Sequence, residues 1–247
     1  MKSKLTALSE TVLPILFWCL IWQISATFID NQFLFPDIPS TFKALLALVC
    51  GERFYKAVLL SALRVTLGLL LGITAGTLLA MLCHRSKTLH ALFSPLISVI
   101  KSTPVASFIV VLWVMMSGDA LSVFIGFLMV MPIIWQNVLD GYSAIDKDLA
   151  EVADVYEFSH AKRVKFLIFP TLKSYLIPAI ITASGLSWKA EIAAEIIAYT
   201  KNSIGQGIND AKYNMDTPTV FAWTLVIIVF SIILERGTKY LLGRVEK

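Results

Sequence analysis

Residues 57–83 read AVLLSALRVTLGLLLGITAGTLLAMLC. The run contains one charge, Arg64, and no proline. As a helix it rises about 40 Å, more than the roughly 30 Å of a bilayer's hydrocarbon core. Within that core every backbone N–H and C=O must be paired inside the chain, so the run is read as a transmembrane helix. Gly68, Gly72 and Gly76 recur at every fourth residue, which places them on one face and allows a second helix to approach closely.

Five more runs of spanning length lie around it, at 11–29, 91–116, 120–139, 175–197 and 220–240. Over the 247 residues, 57% are hydrophobic and 15% charged, with a mean hydropathy of +0.76. Soluble domains are roughly half apolar and a quarter charged, so an ordinary soluble enzyme is excluded. The fold class is an all-α integral membrane protein with about six transmembrane helices. An N-terminal helix and external segment fill 1–56, and the core of the transmembrane domain fills 57–247. The first run follows Lys2 and Lys4 as a signal peptide would, but it is longer than a typical h-region, and Trp18 and Trp22 suit a retained helix. Cys19, Cys50 and Cys83 are an odd set without C-x-x-C spacing and read as free thiols. No aromatic-basic stripe points to nucleic acid.

Orientation follows from the Lys and Arg residues near the spans, which stay preferentially on the cytoplasmic side. With both termini inside, the cytoplasmic segments hold 13 and the external ones 5. The expected topology is therefore multi-pass, in the inner (cytoplasmic) membrane of the cell, with both ends cytoplasmic.

The one long polar segment on the cytoplasmic side is 146–173. Leu149, Val152, Ala153, Val155 and Tyr156 recur there at helical spacing. A basic run follows at Lys162, Arg163 and Lys165, then Pro170, which is expected to limit helical continuation into the next span. This segment resembles the cytoplasmic EAA loop of ABC importer permeases: E-A-A, three residues, G, nine residues, I-x-L-P. The spacing falls on Glu151, Val152, Ala153, Glu157, Leu167, Phe169 and Pro170. Glu157 stands where the pattern has glycine. Because glycine permits positive φ and glutamate disfavours it, the turn is expected to change shape or shift toward Ser159.

The rest of the chain is similar to the nitrate/sulfonate/taurine branch of these permeases. The resemblance rests on 35–40 (FPDIPS), 101–106 (KSTPVA), Ser187-Trp188-Lys189, Ala193-Ala194-Glu195, Ser203-Ile204-Gly205 and Asp216-Thr217-Pro218. It implies the permease subunit of a binding-protein-dependent importer for a small solute, such as a sulfonate, nitrate or a vitamin precursor. It also implies three partners: an ABC ATPase subunit, an extracytoplasmic substrate-binding protein and a second permease copy. Glu151, Val152, Ala153, Tyr156, Glu157, Leu167 and Pro170 would couple the chain to the ATPase. With no G-x-x-x-x-G-K-[ST] loop here, ATP and Mg would be bound by that partner, and this chain would hold no cofactor and be no enzyme.

Charges at membrane depth are costly and are candidates for function. Lys101 lies near the middle of its run with Pro104 three residues on; Arg64, Glu191 and Glu195 lie in outer halves. Trp188, Glu191 and Glu195 share one helical stripe while Lys189 points nearly the opposite way, so the cation answering the two carboxylates must come from another helix, Arg64 or Lys101. An interhelix ion pair and a place on the substrate path both fit Arg64, Lys101, Glu191 and Glu195. Trp113, Gln136 and Asn137 could line the path or serve as an interfacial anchor and helix-joining amides. His84, His90 and His160 are too scattered for a metal site. An intramembrane enzyme would need a nucleophile elbow, H-E-x-x-H or paired aspartates, none of which occurs. A self-sufficient secondary transporter is the alternative.

Overall fold

The computed structural model describes residues 2–243, with side chains from residue 12 onward. Of the charges that orient the chain, Lys2, Lys4, Arg244 and Lys247 fall outside the described side chains. The described residues form helices and no strand: α1 (Lys2–Ile29), α2 (Ile38–Val49), α3 (Glu52–Arg85), α4 (Lys87–Ser102), α5 (Val105–Trp113) and α6 (Gly118–Ser143). There follow α7 (Lys147–Val155), α8 (His160–Arg163), a π-helical turn (Val164–Ile168), α9 (Phe169–Ile197), α10 (Ile204–Tyr213) and α11 (Thr217–Gly243).

The glycine face of α3 builds the centre. A Cβ at Gly68 would lie 2.8 Å from the Val123 carbonyl oxygen, and one at Gly76 2.7 Å from that of Met131. Backbone therefore meets backbone between α3 and α6, a separation only hydrogen side chains allow. α9 packs antiparallel on α6, with Glu191 against Gly126 at one end and Leu172 against Gly141 at the other. Ile134, Val130, Val138, Ala80 and Ala183 are buried in one core along these helices, and Trp188, Ile204, Val65 and Trp223 in a second.

Among the described residues, five helices are long and apolar enough to cross a membrane. The sixth expected span, 91–116, is divided: α4 and α5 meet at 99°. Thr103 is extended (φ −80°, ψ 131°), as the residue before a proline prefers to be, and Pro104 has no N–H to continue the ladder. The bent pair nevertheless returns the chain across the bilayer. α3 and α6 run parallel, since Gly68, Gly72 and Gly76 meet Val123, Val130 and Met131 in the same order. The Arg64–Asp119 ion pair at 2.8 Å sets the start of α6 beside Arg64, about 31 Å of helix rise from Arg85 at the end of α3.

Two short helices occupy stretches expected to be external loop. Asp37 caps α2, accepting from the Ser40 amide at 2.9 Å. The Ser40 side chain and then its amide hold the Asp37 carboxyl below the usual carboxylate range. Ser203 caps α10 through the Gln206 amide at 2.9 Å, and Gln206 Oε1 accepts from the Asn202 amide at 2.6 Å, close to the reciprocal capping box. α1 is anchored near its C-terminal end, where Trp22 Nε1 donates to the Pro36 carbonyl at 2.9 Å and the Gln23 side chain accepts from the Ile38 amide at 3.1 Å. Elsewhere it exposes Leu13, Trp18 and Phe28, a surface suited to acyl chains.

Pro170 does not end its helix. It occupies the first turn of α9, where its missing N–H is tolerated, and the π-helical turn before it absorbs the extra residue. One apolar helix thus runs over His160–Ile197.

Candidate functional site

Two constellations stand out: a buried polar cluster where α3, α6, α9 and α10 meet, and the segment from α7 to the π turn.

Glu191 and Glu195 are each 1% exposed, with Trp188 fully buried on the same face of α9, as the i, i+3, i+4 stripe requires. The cation is Arg64 of α3. Its Nη1 lies 2.9 Å from Glu195 Oε1 and its Nη2 2.8 Å from Asp119 Oδ1; Nη2 also donates to the Lys201 carbonyl at 3.3 Å. The Ser61 hydroxyl lies 2.8 and 2.7 Å from the two Glu195 oxygens. The start of α10 completes the cage. The Gly205 amide donates to Glu195 Oε2 at 3.3 Å and the Ile204 amide to Ser61 Oγ at 3.1 Å, so the carboxylate faces the positive end of a helix dipole. Glu191 lies one turn earlier in a notch between Gly68 and Gly126, where an added Cβ would come within 2.6 and 1.7 Å of its Oε1. Ser187 donates to that oxygen at 2.8 Å, while Glu191 Oε2 has no hydrogen-bond partner among the described residues.

Lys101 does not join this cluster. It is exposed at the end of α4 and lines a recess with Lys189. Trp113 stands exposed at the end of α5. Gln136 and Asn137 are spent within α6, on Asp140 at 3.0 Å and the Ile133 carbonyl at 2.8 Å. His84 stacks on Tyr142 and His90 on Trp135.

In the segment between α6 and α9, Asp146 caps α7 through the amides of Asp148 and Leu149 at 2.8 and 3.4 Å. Leu149, Val152, Val155 and Tyr156 are exposed, whereas Ala153 is only 4% exposed. Ala153 thus packs into its own chain, and the outward apolar face is formed by its neighbours. Glu151 and Pro170 are exposed and Leu167 is half-buried. Arg163 pairs with Asp154 and ties α8 back to α7.

Glu157 has φ +48°. The left-handed position stays at Glu157 and does not move to Ser159, whose φ is −58°; contacts on either side, including the Phe158 amide donating to the Ala153 carbonyl at 2.9 Å, hold it in place. Left-handed φ costs an ordinary residue about 1–2 kcal/mol. Glu157→Gly is therefore expected to stabilise the chain by about 1 kcal/mol, read as a higher melting temperature in detergent. A lower melting temperature for Glu157→Gly than for Glu157→Ala would show that the strain is absent.

Comparison with known proteins agrees with this architecture. Residues 68–247 match the family described as Binding-protein-dependent transport system inner membrane component. SsuC of Bacillus subtilis, named for aliphatic sulfonates transport, is 27% identical over 86% of this chain and 76% of its own length. The taurine transport system permease protein TauC of Escherichia coli is 22% identical over 90% of this chain and 83% of its own length. Other relatives are named for nitrate and bicarbonate import. The crystal structure of a bacterial ABC transporter involved in import of the acidic polysaccharide alginate shares the fold, with a TM-score of 0.66 at 13% identity over 99% of this chain and 98% of that one. A self-sufficient secondary transporter is thereby set aside. The matched stretch runs from the glycine face of α3 through α6, the helical segment after it and α9 to the end of the chain, and the chain belongs to the inner-membrane permease family of binding-protein-dependent ABC importers.

Proposed function

We propose that the chain is one half of a permease pair, with both termini cytoplasmic, that moves a small anionic solute inward when a separate ATPase closes beneath it. The observation that carries this reading is the α7 segment: a capped helix presenting Leu149, Val152, Val155 and Tyr156 outward and fixed to its own chain through Ala153 and the Arg163–Asp154 pair. An apolar face on a held helix is a ligand for a groove, and its displacement is passed on through the continuous helix into α9. Glu151, Glu157, Leu167 and Pro170 frame that element. ATP and Mg belong to the ATPase.

On the opposite side, α2 and α10 border a recess of about 620 Å3 lined by Arg53, Gln206, Asp210, Asn214 and Asp216. This surface would receive a substrate-binding protein. Arg64, Glu191 and Glu195 hold α3, α6, α9 and α10 in register, and the exposed Lys101 and Trp113 would border the second copy. The relatives' solutes, sulfonates, taurine, nitrate and bicarbonate, share an oxyanionic group, which supports an anion as the solute.

Val152→Asp puts a charge on the outward face without touching the buried side of α7. Co-purification with its partner ATPase is expected to fall more than tenfold, since an unpaired charge in an apolar groove costs several kcal/mol, while the size-exclusion profile stays parental. ATPase retention equal to the parent's would remove α7 from the docking role.

A further inference from the structure

Between the α4–α5 break, α6 and α9 lies a recess of about 460 Å3, lined among others by Lys101, Lys189, Thr103, Leu128, Pro132 and Ala193. Its lining contains two ammonium groups and no acid. Among the described residues the ion pairs join Arg64 to Asp119 and Glu195, and Arg163 to Asp154, so neither lysine is matched. Both are exposed at the surface of the chain.

That surface cannot be lipid. Lys189 lies eight residues before Ile197, the end of α9, a rise of about 12 Å. This is deeper than the end turn from which lysines snorkel to the headgroups, and an unpaired ammonium at such depth costs at least a few kcal/mol. Lys101 reaches the same recess from the broken crossing, where Pro104 and the extended Thr103 open the helix. Irregular backbone at membrane depth is tolerated where it is covered by protein or borders water. Both features are met if the recess borders an aqueous path.

We propose that Lys101 and Lys189 form an anion site on the translocation path, with the Thr103 hydroxyl available as a neutral donor, that takes a small oxyanion or the sulfonate or carboxylate group of an organic solute. The assignment rests on the permease reading above and adds Lys189 to it. The position of Lys189 opposite the Trp188–Glu191–Glu195 stripe keeps it clear of the buried carboxylates and turns it toward the path. Two ammonium groups with no fixed counter-ion raise the local concentration of anions and repel cations.

The test needs no knowledge of the natural solute. In a chain with Cys19, Cys50 and Cys83 replaced by alanine, Lys189→Cys is assembled with its ATPase in proteoliposomes. It is then labelled with two water-soluble methanethiosulfonates of similar size, one carrying a sulfonate and one a trimethylammonium. With Lys101 in place, the sulfonate reagent is expected to react about tenfold faster relative to the ammonium reagent than it does at a cysteine in an exposed external loop. Adding Lys101→Gln should return the ratio to the loop value. The reciprocal pair, Lys101→Cys with and without Lys189→Gln, gives the same readout should the first chain not fold. Labelling by membrane-permeant N-ethylmaleimide but by neither charged reagent would place the face in lipid and overturn the proposal, as would a ratio indifferent to the second lysine. ATPase retention, measured on the same preparations, reports separately on the permease reading.

Discussion

Gly205→Ala is expected to lower the melting temperature of the detergent-solubilised chain by the equivalent of about 3 kcal/mol. The new Cβ would lie 2.5 Å from the Glu195 carbonyl carbon, 2.6 Å from its Cβ and 2.6 Å from the Ile196 nitrogen. These atoms belong to the body of α9 and cannot rotate aside as the end of a long side chain can. α10 must lift, and two hydrogen bonds loosen with it: Gly205 to Glu195 and Ile204 to Ser61. Gly207 two residues on is pressed against the Trp223 ring, with its would-be Cβ 2.5 Å away, so the shift cannot be taken up there. Gly185→Ala is the control. It lies inside α9, where an added Cβ meets nothing within 4 Å, and alanine there gains up to about 1 kcal/mol of helix propensity. Equal melting temperatures for the two variants would mean that α10 is not docked on α9 as described.

The spans were legible because membrane depth leaves few options: a long apolar run must be a helix. The glycine face of α3 and the stripe of Trp188, Glu191 and Glu195 followed from helical periodicity alone, and each is buried along one side of its helix. The choice of Arg64 over Lys101 as partner of Glu195 was not legible, since it joins residues 131 apart in sequence and depends on how α3 meets α9. α2 and α10 lay hidden because helices of 12 and 10 residues are too short to register as spans. Their caps were nevertheless written out, as Asp37 with Pro39 and Ser40, and as Ser203 with Gln206. Pro104 and Pro170 show the limit of a local rule. The first breaks its helix and the second begins one, and the difference lies in the π turn ahead of Pro170. Glu157 is the same lesson in the backbone: a residue poorly suited to positive φ adopts it because the surrounding turn leaves no alternative.

Arg64→Met is expected to destabilise the chain by about 3–5 kcal/mol, the usual consequence of removing one member of a buried ion pair. Glu195 is 1% exposed and the Arg64 side chain 11%, so water cannot take over the missing contact. Asp119 is largely exposed and can be resolvated, which leaves Glu195 as the source of the cost. With Arg64 gone, its carboxylate retains only the Ser61 hydroxyl and the Gly205 amide, short of what a buried charge needs. Glu195→Gln removes that charge at nearly constant volume and keeps an acceptor for both donors. The double variant Arg64→Met/Glu195→Gln is therefore expected to be more stable than Arg64→Met alone, with a coupling of about 2 kcal/mol in the double-mutant cycle. Arg64→Lys should fall between parent and Arg64→Met, because a single ammonium cannot span Glu195, Asp119 and the Lys201 carbonyl as the guanidinium fork does. Thermal unfolding of the four chains in one detergent measures the cycle. Additive effects, with Arg64→Met melting at the parental temperature, would detach the pair from the architecture and leave Arg64 and Glu195 as charges held for the solute.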